Sequence, residues 1–330
     1  MKKQLLMFAV LLSTFTLWGC SRKPDGVTVT ETKIEQLTPD KASGITIGWS
    51  VYTLDNEFFQ RMDDAIREEA VEKGVTLLAH AQNYDSQEMV KACKSMIAQD
   101  VDALLVSPCE PDKMPEIIDA AHERDIPVVI VDIGDGGGDK DAIIISNGYE
   151  GGKEMGDYVI SLLEEKNIES KKLGIVKCED TAVYANQRGE GFRETVEAAG
   201  YEIAVQEKGD SKEVLGYEAA KKMLEKEPDL AAIFSENDMM ALGVTKAVKE
   251  AGSEALIFGY DGNSLAINAI IEKKMHGTMK QDAEGMGIKG MEIALKLIHN
   301  EEITYGNPET KEIFVEGYII GEDSDIVKKQ

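Results

Sequence analysis

Cysteine is scarce in this chain, with 4 in 330 residues, at positions 20, 93, 109 and 178. Setting Cys20 aside leaves an odd number whose spacing matches no metal motif. Each of the three falls in an apolar helix or at a strand end, so buried free thiols are expected, a Cys93–Cys109 bridge being the alternative. The 4 histidines, at 80, 122, 276 and 299, do not group with cysteines or carboxylates at ligand spacing, and no metal site is expected. Cations are also in short supply: 36 Lys and Arg against 61 Asp and Glu give a net charge of -25. A phosphate backbone would be repelled by such a surface, which excludes nucleic acid as a partner. There is no Walker A run, no HExxH, no GxSxG and no GxGxxG after a strand, so neither a cofactor nor catalysis is expected. The loop "DIGDGGGDKD" at 132–141 fails the spacing of a calcium loop and reads as a flexible turn.

Long apolar runs are confined to the start. Lys2 and Lys3 precede "LLMFAVLLSTFTLWGC", which has a charged start, an apolar centre and a small residue near its end. This is the pattern of a secretory signal, too short for the about 20 apolar residues of a bilayer span. "LWGC" resembles a lipobox, which makes Cys20 the expected lipid attachment site; Trp18 is an unusual residue within it. Residues 1–20 are thus a lipoprotein signal, and the polar stretch 21–43 is expected to be a flexible tether. The folded body is expected outside the cytoplasm, held at the cell membrane by its lipid.

What is abundant is alternation. Strand-length apolar runs recur as "ITIGWSV", "VTLLAHA", "VDALLVS", "PVVIVD" and "AIIIS", then "KLGIVKC", "EIAVQ", "LAAIFS", "ALIFGY" and "HGTMKQ". Amphipathic stretches at 86–99, 112–124, 148–166, 187–199, 212–226, 238–251 and 283–299 separate most of them. Continuous apolar strands between helices mean parallel sheet covered on both faces. Ten strands exceed one comfortable sheet, so the expected fold is α/β with two doubly wound, Rossmann-like domains.

Ligands of such sheets bind beyond the carboxyl ends of the strands. The residues standing there are Tyr52 to Asn56, Ser107, Asp132, Asn147, Asn237, Asp261 and Gln281, with no Lys or Arg among them. Carboxylates and amides suit hydroxyl donors, whereas a phosphate or carboxylate ligand calls for Arg or helix N-termini. Each residue alone is equally a helix cap or turn former; the set gathers at one edge of two sheets. The stretch "YTLDNEFFQRMDDAI" adds Phe58 and Phe59 at the first turn of a helix whose buried stripe is Met62, Ala65, Ile66 and Ala70. Phe59 is expected to serve the core at least in part, and Phe58 to face the cleft.

In order, "TIGWSVYTLDNEFF", "IPVVIVD", "GGKEMGDYV", "NQRGEGF", "IFSENDMMALG" and "FGYDGN" resemble the ribose- and galactose-binding branch of the type I periplasmic solute-binding proteins over nearly all of residues 44–330. The resemblance implies two α/β domains, 44–146 plus 282–310 and 147–281 plus 311–330. Three hinge segments join them, near 146–147, 281–282 and 310, and the ligand lies in the cleft between. Matching positions imply a site of Tyr52, Asn56, Phe58, Phe59, Asp132, Asn186, Asn237, Asp261 and Gln281. Ile133 and Asn186 stand where ribose-type members carry Arg, and an aromatic wall is lost near Ser211. The implied function is capture of a neutral sugar or sugar-like ligand by a monomer that closes on it. Delivery would be to the transmembrane subunits of an ATP-driven importer. Sensing for a membrane receptor or kinase is an alternative role, and a polyol, nucleoside or furanone-type signal an alternative ligand.

Overall fold

The computed structural model describes residues 32–328 apart from Thr181. The signal, Cys20 and the first part of the tether lie outside the described residues. The strands are β1 (Glu35–Leu37), β2 (Thr46–Val51), β3 (Thr76–Ala81), β4 (Ala103–Val106), β5 (Val128–Val131), β6 (Ala142–Ser146), β7 (Lys172–Lys177), β8 (Glu202–Lys208), β9 (Ala232–Ser235), β10 (Leu256–Asp261), β11 (Gly277–Lys280), β12 (Glu312–Val315) and β13 (Tyr318–Gly321). The helices are α1 (Glu57–Lys73), α2 (Ser86–Ala98), α3 (Met114–His122), α4 (Gly148–Glu165), α5 (Val183–Ala198), α6 (Glu213–Lys226), α7 (Asp238–Ala251), α8 (Ser264–Ile271), α9 (Ala283–Ile298) and α10 (Asp325–Lys328).

They form two α/β domains. One sheet runs β1-β3-β2-β4-β5-β6-β12 and the other β13-β11-β10-β9-β7-β8. All pairings are parallel except β1 with β3 and β11 with β13. The apolar runs explain this: β2, β4, β5 and β6 are buried almost throughout, as strands covered by helices on both faces must be. Each sheet has one apolar cluster per face. In the first domain, Trp49, Met62, Leu105 and Met286 pack on one side, and Met89, Met96, Leu104 and Ile118 on the other. Every such fully buried side chain contributes about 1.5–3 kcal/mol.

Glycine spacing in "GGKEMGDYV" and "NQRGEGF" is a packing device. A Cβ on Gly152 would come within 2.1 Å of the Arg188 carbonyl, and one on Gly191 within 2.0 Å of the Tyr149 carbonyl. The two motifs therefore let α4 and α5 pack backbone to backbone, and this fixes where α5 presents its side chains.

Three expectations need correcting. The 21–43 stretch is not tether throughout, because Glu35–Leu37 adds an antiparallel strand to the edge of β3, where Leu37 packs on the core. Helix α5 starts at Val183, four residues before the expected 187. Residues 312–315 pair with β6 in the first sheet, not the second, so the last crossover lies between Val315 and Tyr318. The runs "EIFV" and "YIIG" are two residues apart and read as one terminal strand, yet they serve different sheets. Gly317 sits where a Cβ would be 2.5 Å from the Lys280 carbonyl, which brings this crossover against the one at 281–282.

Candidate ligand-binding cleft

The carboxyl ends of both sheets turn toward each other. Asp132 follows β5 in one domain and Asp261 ends β10 in the other, and both have left-handed backbones, with φ of 64° and 117°. Non-glycine residues rarely hold such angles, and where they do the site is often functional. Asp132 is near enough to the second domain to feel both Arg188 and Asp261.

Asp261 is held from several directions. Its Oδ1 accepts hydrogen bonds from Arg188 Nη1 at 2.9 Å and Gln281 Nε2 at 2.7 Å. Burial pushes its carboxyl above the usual carboxylate range, and the Arg188 guanidinium opposes the rise. Arg188 also donates to the Glu236 carbonyl at 2.7 Å, and its guanidinium lies 4.0 Å from the centre of the Tyr260 ring. Asp238, fully buried beside Asp261, accepts from Thr278 Oγ1 at 2.7 Å and from the Asn263 amide at 2.8 Å. Burial pushes its carboxyl well up, and the Asp261 charge adds to the rise.

Asp132 differs. Among the described residues its carboxylate has no side-chain hydrogen-bond or ion-pair partner. Burial pushes it up to about 6, offset in part by the Ile133 amide and by Arg188.

The aromatic wall belongs to the first domain. Phe59 is buried in the core, and the Tyr52 and Phe58 rings meet it edge-on at 5.0 and 5.2 Å. Phe58 is half-buried at the edge of the same cluster. Tyr52 also meets Tyr84 edge-on at 5.1 Å and senses Glu179 across the gap.

The amides largely do local work. Asn56 caps α1, its Oδ1 accepting the Phe58 amide at 2.9 Å. Asn237 caps α7 through the Met240 amide at 3.0 Å. Asn186 Nδ2 donates to the Glu179 and Ala182 carbonyls, both at 3.0 Å, while its Oδ1 is buried without a partner. Thus Asp132, Asp261, Arg188 and Gln281 converge, Tyr52 and Phe58 line one wall, and Phe59 supports that wall from behind.

Several cleft residues escaped the sequence reading. Arg188 is the main one, and it corrects the inference that no cation stands in the site. It lies on a helix, not at a strand end, and its partner is 73 residues away. Glu179 follows β7 and accepts the Ser211 hydroxyl at 2.6 Å, so the position near the lost aromatic carries an acid and an alcohol. Glu236 is fully buried, pushed up to about 7 by burial, and holds the Cys178 amide at 2.6 Å. No signal distinguished Glu179 or Glu236 from ordinary turn residues.

The domains also touch at the rim. Ser264 Oγ donates to Glu57 at 2.7 Å, and Tyr184 donates to Glu312 at 3.0 Å. Among the described residues no group of three or more His, Cys, Asp or Glu side chains could hold a metal ion, and no helix is long and apolar enough to cross a membrane. Cys93 and Cys178 are buried free thiols, and Cys109 is a half-buried one.

Residues 47–302 match the periplasmic binding protein domain family. The ribose import binding protein of Bacillus subtilis is 28% identical, over 91% of this chain and 95% of its own. The D-ribose/D-allose-binding protein of Pseudomonas aeruginosa is also 28% identical, over 79% of this chain and 83% of its own. Among solved structures, a periplasmic ribose ABC transporter protein from Conexibacter woesei superposes with a TM-score of 0.78, at 22% identity, over 86% of this chain and 94% of that one. A solute-binding protein from Actinobacillus succinogenes with bound D-allose gives 0.73, at 23% identity, over 87% and 100%. With the family matched over most of the chain and its two-domain fold present, this protein belongs to the periplasmic binding proteins.

Proposed function

We propose that this protein is the extracytoplasmic binding component of a sugar importer, capturing a sugar or sugar-like ligand between its two domains. One observation carries this reading. Asp132 and Asp261, on separate domains, face one cleft, with Arg188 ion-paired to Asp261 and felt at Asp132. Carboxylates and a guanidinium in that arrangement accept and donate to adjacent hydroxyls. Phe58 and Tyr52 offer ring faces to the C–H surface of a sugar. The relatives named for ribose, and the structure with bound allose, support the same ligand class.

The mechanism follows from the crossovers. A ligand bridging Asp132 and Asp261 has more contacts when the domains are together, so it shifts the population toward the closed form. Chain segments at 146–148, 281–282 and 316–317 can bend without disturbing either core. The closed form is then what an importer's transmembrane subunits would recognise. Binding without chemistry is the proposed activity, and Cys20 the proposed lipid anchor. The protein would act as a monomer at the outer face of the membrane.

A thermal-shift screen of the purified full chain against aldoses, ketoses, polyols, nucleosides and amino acids tests this. Ligand at about 1,000 times its dissociation constant adds roughly 4 kcal/mol of stability. Stabilisation by sugars or polyols is the expected result; stabilisation by amino acids or nucleosides alone would overturn the reading.

A further inference from the structure

The cleft holds more negative charge than its own cations balance. Asp261 has Arg188, and Asp135, in the loop after Asp132, has Lys140. Glu57 at the rim takes the Ser264 hydroxyl and amide. Asp132 and Glu179 are left over. Among the described residues neither has a cation within ion-pair distance, and Glu179 accepts only the Ser211 hydroxyl. Both are half-buried, and carboxylates shielded from water are normally paired, because an unpaired charge there is costly.

The cleft also holds unpartnered atoms. Asn186 Oδ1, on the first turn of α5, and Glu236 Oε1, beneath it, are buried acceptors without donors. Arg188 Nε and the strand-end hydroxyls of Ser107, Ser146 and Ser235, which can donate or accept, are buried without partners as well. Hydroxyls of the ligand or of these serines can meet the neutral acceptors; what the cleft does not supply is a cation for Asp132 and Glu179. Sugar hydroxyls supply donors and acceptors but no charge.

We propose that the ligand is a sugar or cyclitol bearing a protonated amine, whose ammonium sits against Asp132 in the field of Glu179. The proposal rests on the sugar-binding reading and narrows it to aminodeoxy sugars and aminocyclitols. An ammonium has three donors and one charge, enough to meet the Asp132 carboxylate and a neighbouring acceptor together. The amine also discriminates: a neutral sugar in the same place leaves the Asp132 carboxylate without a cation of its own.

The test uses matched pairs on the full chain by titration calorimetry at pH 7.5. Aldohexoses are compared with their 2-, 3- and 6-aminodeoxy and N-acetylated forms, and inositol with an amino-inositol. At least one amine should bind about 10-fold or more tightly than its hydroxyl twin, a difference of about 1.4 kcal/mol. N-acetylation should remove the advantage, and added salt should weaken the amine more than the twin. Asp132→Asn should bring the amine-to-hydroxyl ratio toward one, with folding checked by its melting temperature. Glu179→Gln should narrow the ratio in the same direction. Hydroxyl twins binding as well as or better than every amine would overturn the proposal and leave the sugar reading intact. Binding by no member of either series would overturn both.

Discussion

The two walls of the cleft are built on opposite plans. In the second domain, Asp261, Arg188, Gln281 and Asp238 are tied together before any ligand arrives. The first domain presents aromatic rings braced by the core and one carboxylate with no side-chain partner. The difference separates preorganisation from demand. The Asp261 network of the second wall is tied together and will resist rearrangement, whereas the first wall's carboxylate has no cation of its own. Mutations should therefore affect stability and binding together on one side and separately on the other.

The largest effect should come from Arg188→Ala. It strands Asp261 and removes the bond to the Glu236 carbonyl; breaking a fully buried pair costs about 3–5 kcal/mol, and this part-buried one should cost less than that. Both the melting temperature and ligand affinity should fall, the latter by 100-fold or more. A variant that lost affinity while keeping its melting temperature would show that the second wall is not a structural network.

On the first wall the two roles split between neighbours. Phe59→Ala should cost about 3 kcal/mol of stability, as for a buried aromatic. Asp132→Ala should weaken binding by about 10- to 100-fold with little change in the melting temperature of the free protein, because the only partner that side chain loses is the neighbouring Ile133 amide. Phe58→Ala, at the edge of the core, should have the smallest effect, a loss of affinity of about threefold with little change in stability. Chemical denaturation beside calorimetry on the three variants would sharpen or erase the distinction.

The pH dependence has two parts of known sign. The folded-state value for Asp132, about 6, lies above the ordinary value of about 3.9. Folding therefore favours its protonated form, and its destabilising contribution is absent below about pH 4 and grows up to about pH 6. The free protein should lose stability over that interval relative to Asp132→Asn. Ligand affinity should move oppositely, since the ionised carboxylate is the better acceptor. With about one molecule in ten ionised at pH 5, binding should be about 10-fold weaker there than at pH 7.5. A flat affinity profile would remove Asp132 from the site.

Much of this was legible in the chain itself. Continuous apolar strands alternating with amphipathic helices imply parallel sheets, and the number of strands requires two of them. Asp132 and Asp261 stand out in the sequence as candidates because they follow such strands, where ligands of α/β sheets bind. Phe59 and the stripe of Met62, Ala65, Ile66 and Ala70 followed from helical spacing, and all five are buried. By contrast, Asn56 and Asn237 cap helices as their residue type allows, and nothing in sequence separates a capping amide from one that also meets a ligand.

Local order thus determined the elements, because periodicity and caps act over a few residues. The positions of the charges were decided only by the tertiary structure. Arg188 meets Asp261 because glycines let α5 pack tightly on α4 and turn that side chain toward β10. Asp132 remains without a cation because Ile133 and Asn186 supply no charge and Arg188 is already paired. Electrostatic balance is a property of side chains brought together from distant parts of the chain, so the sequence records the residues but not which of them are left over.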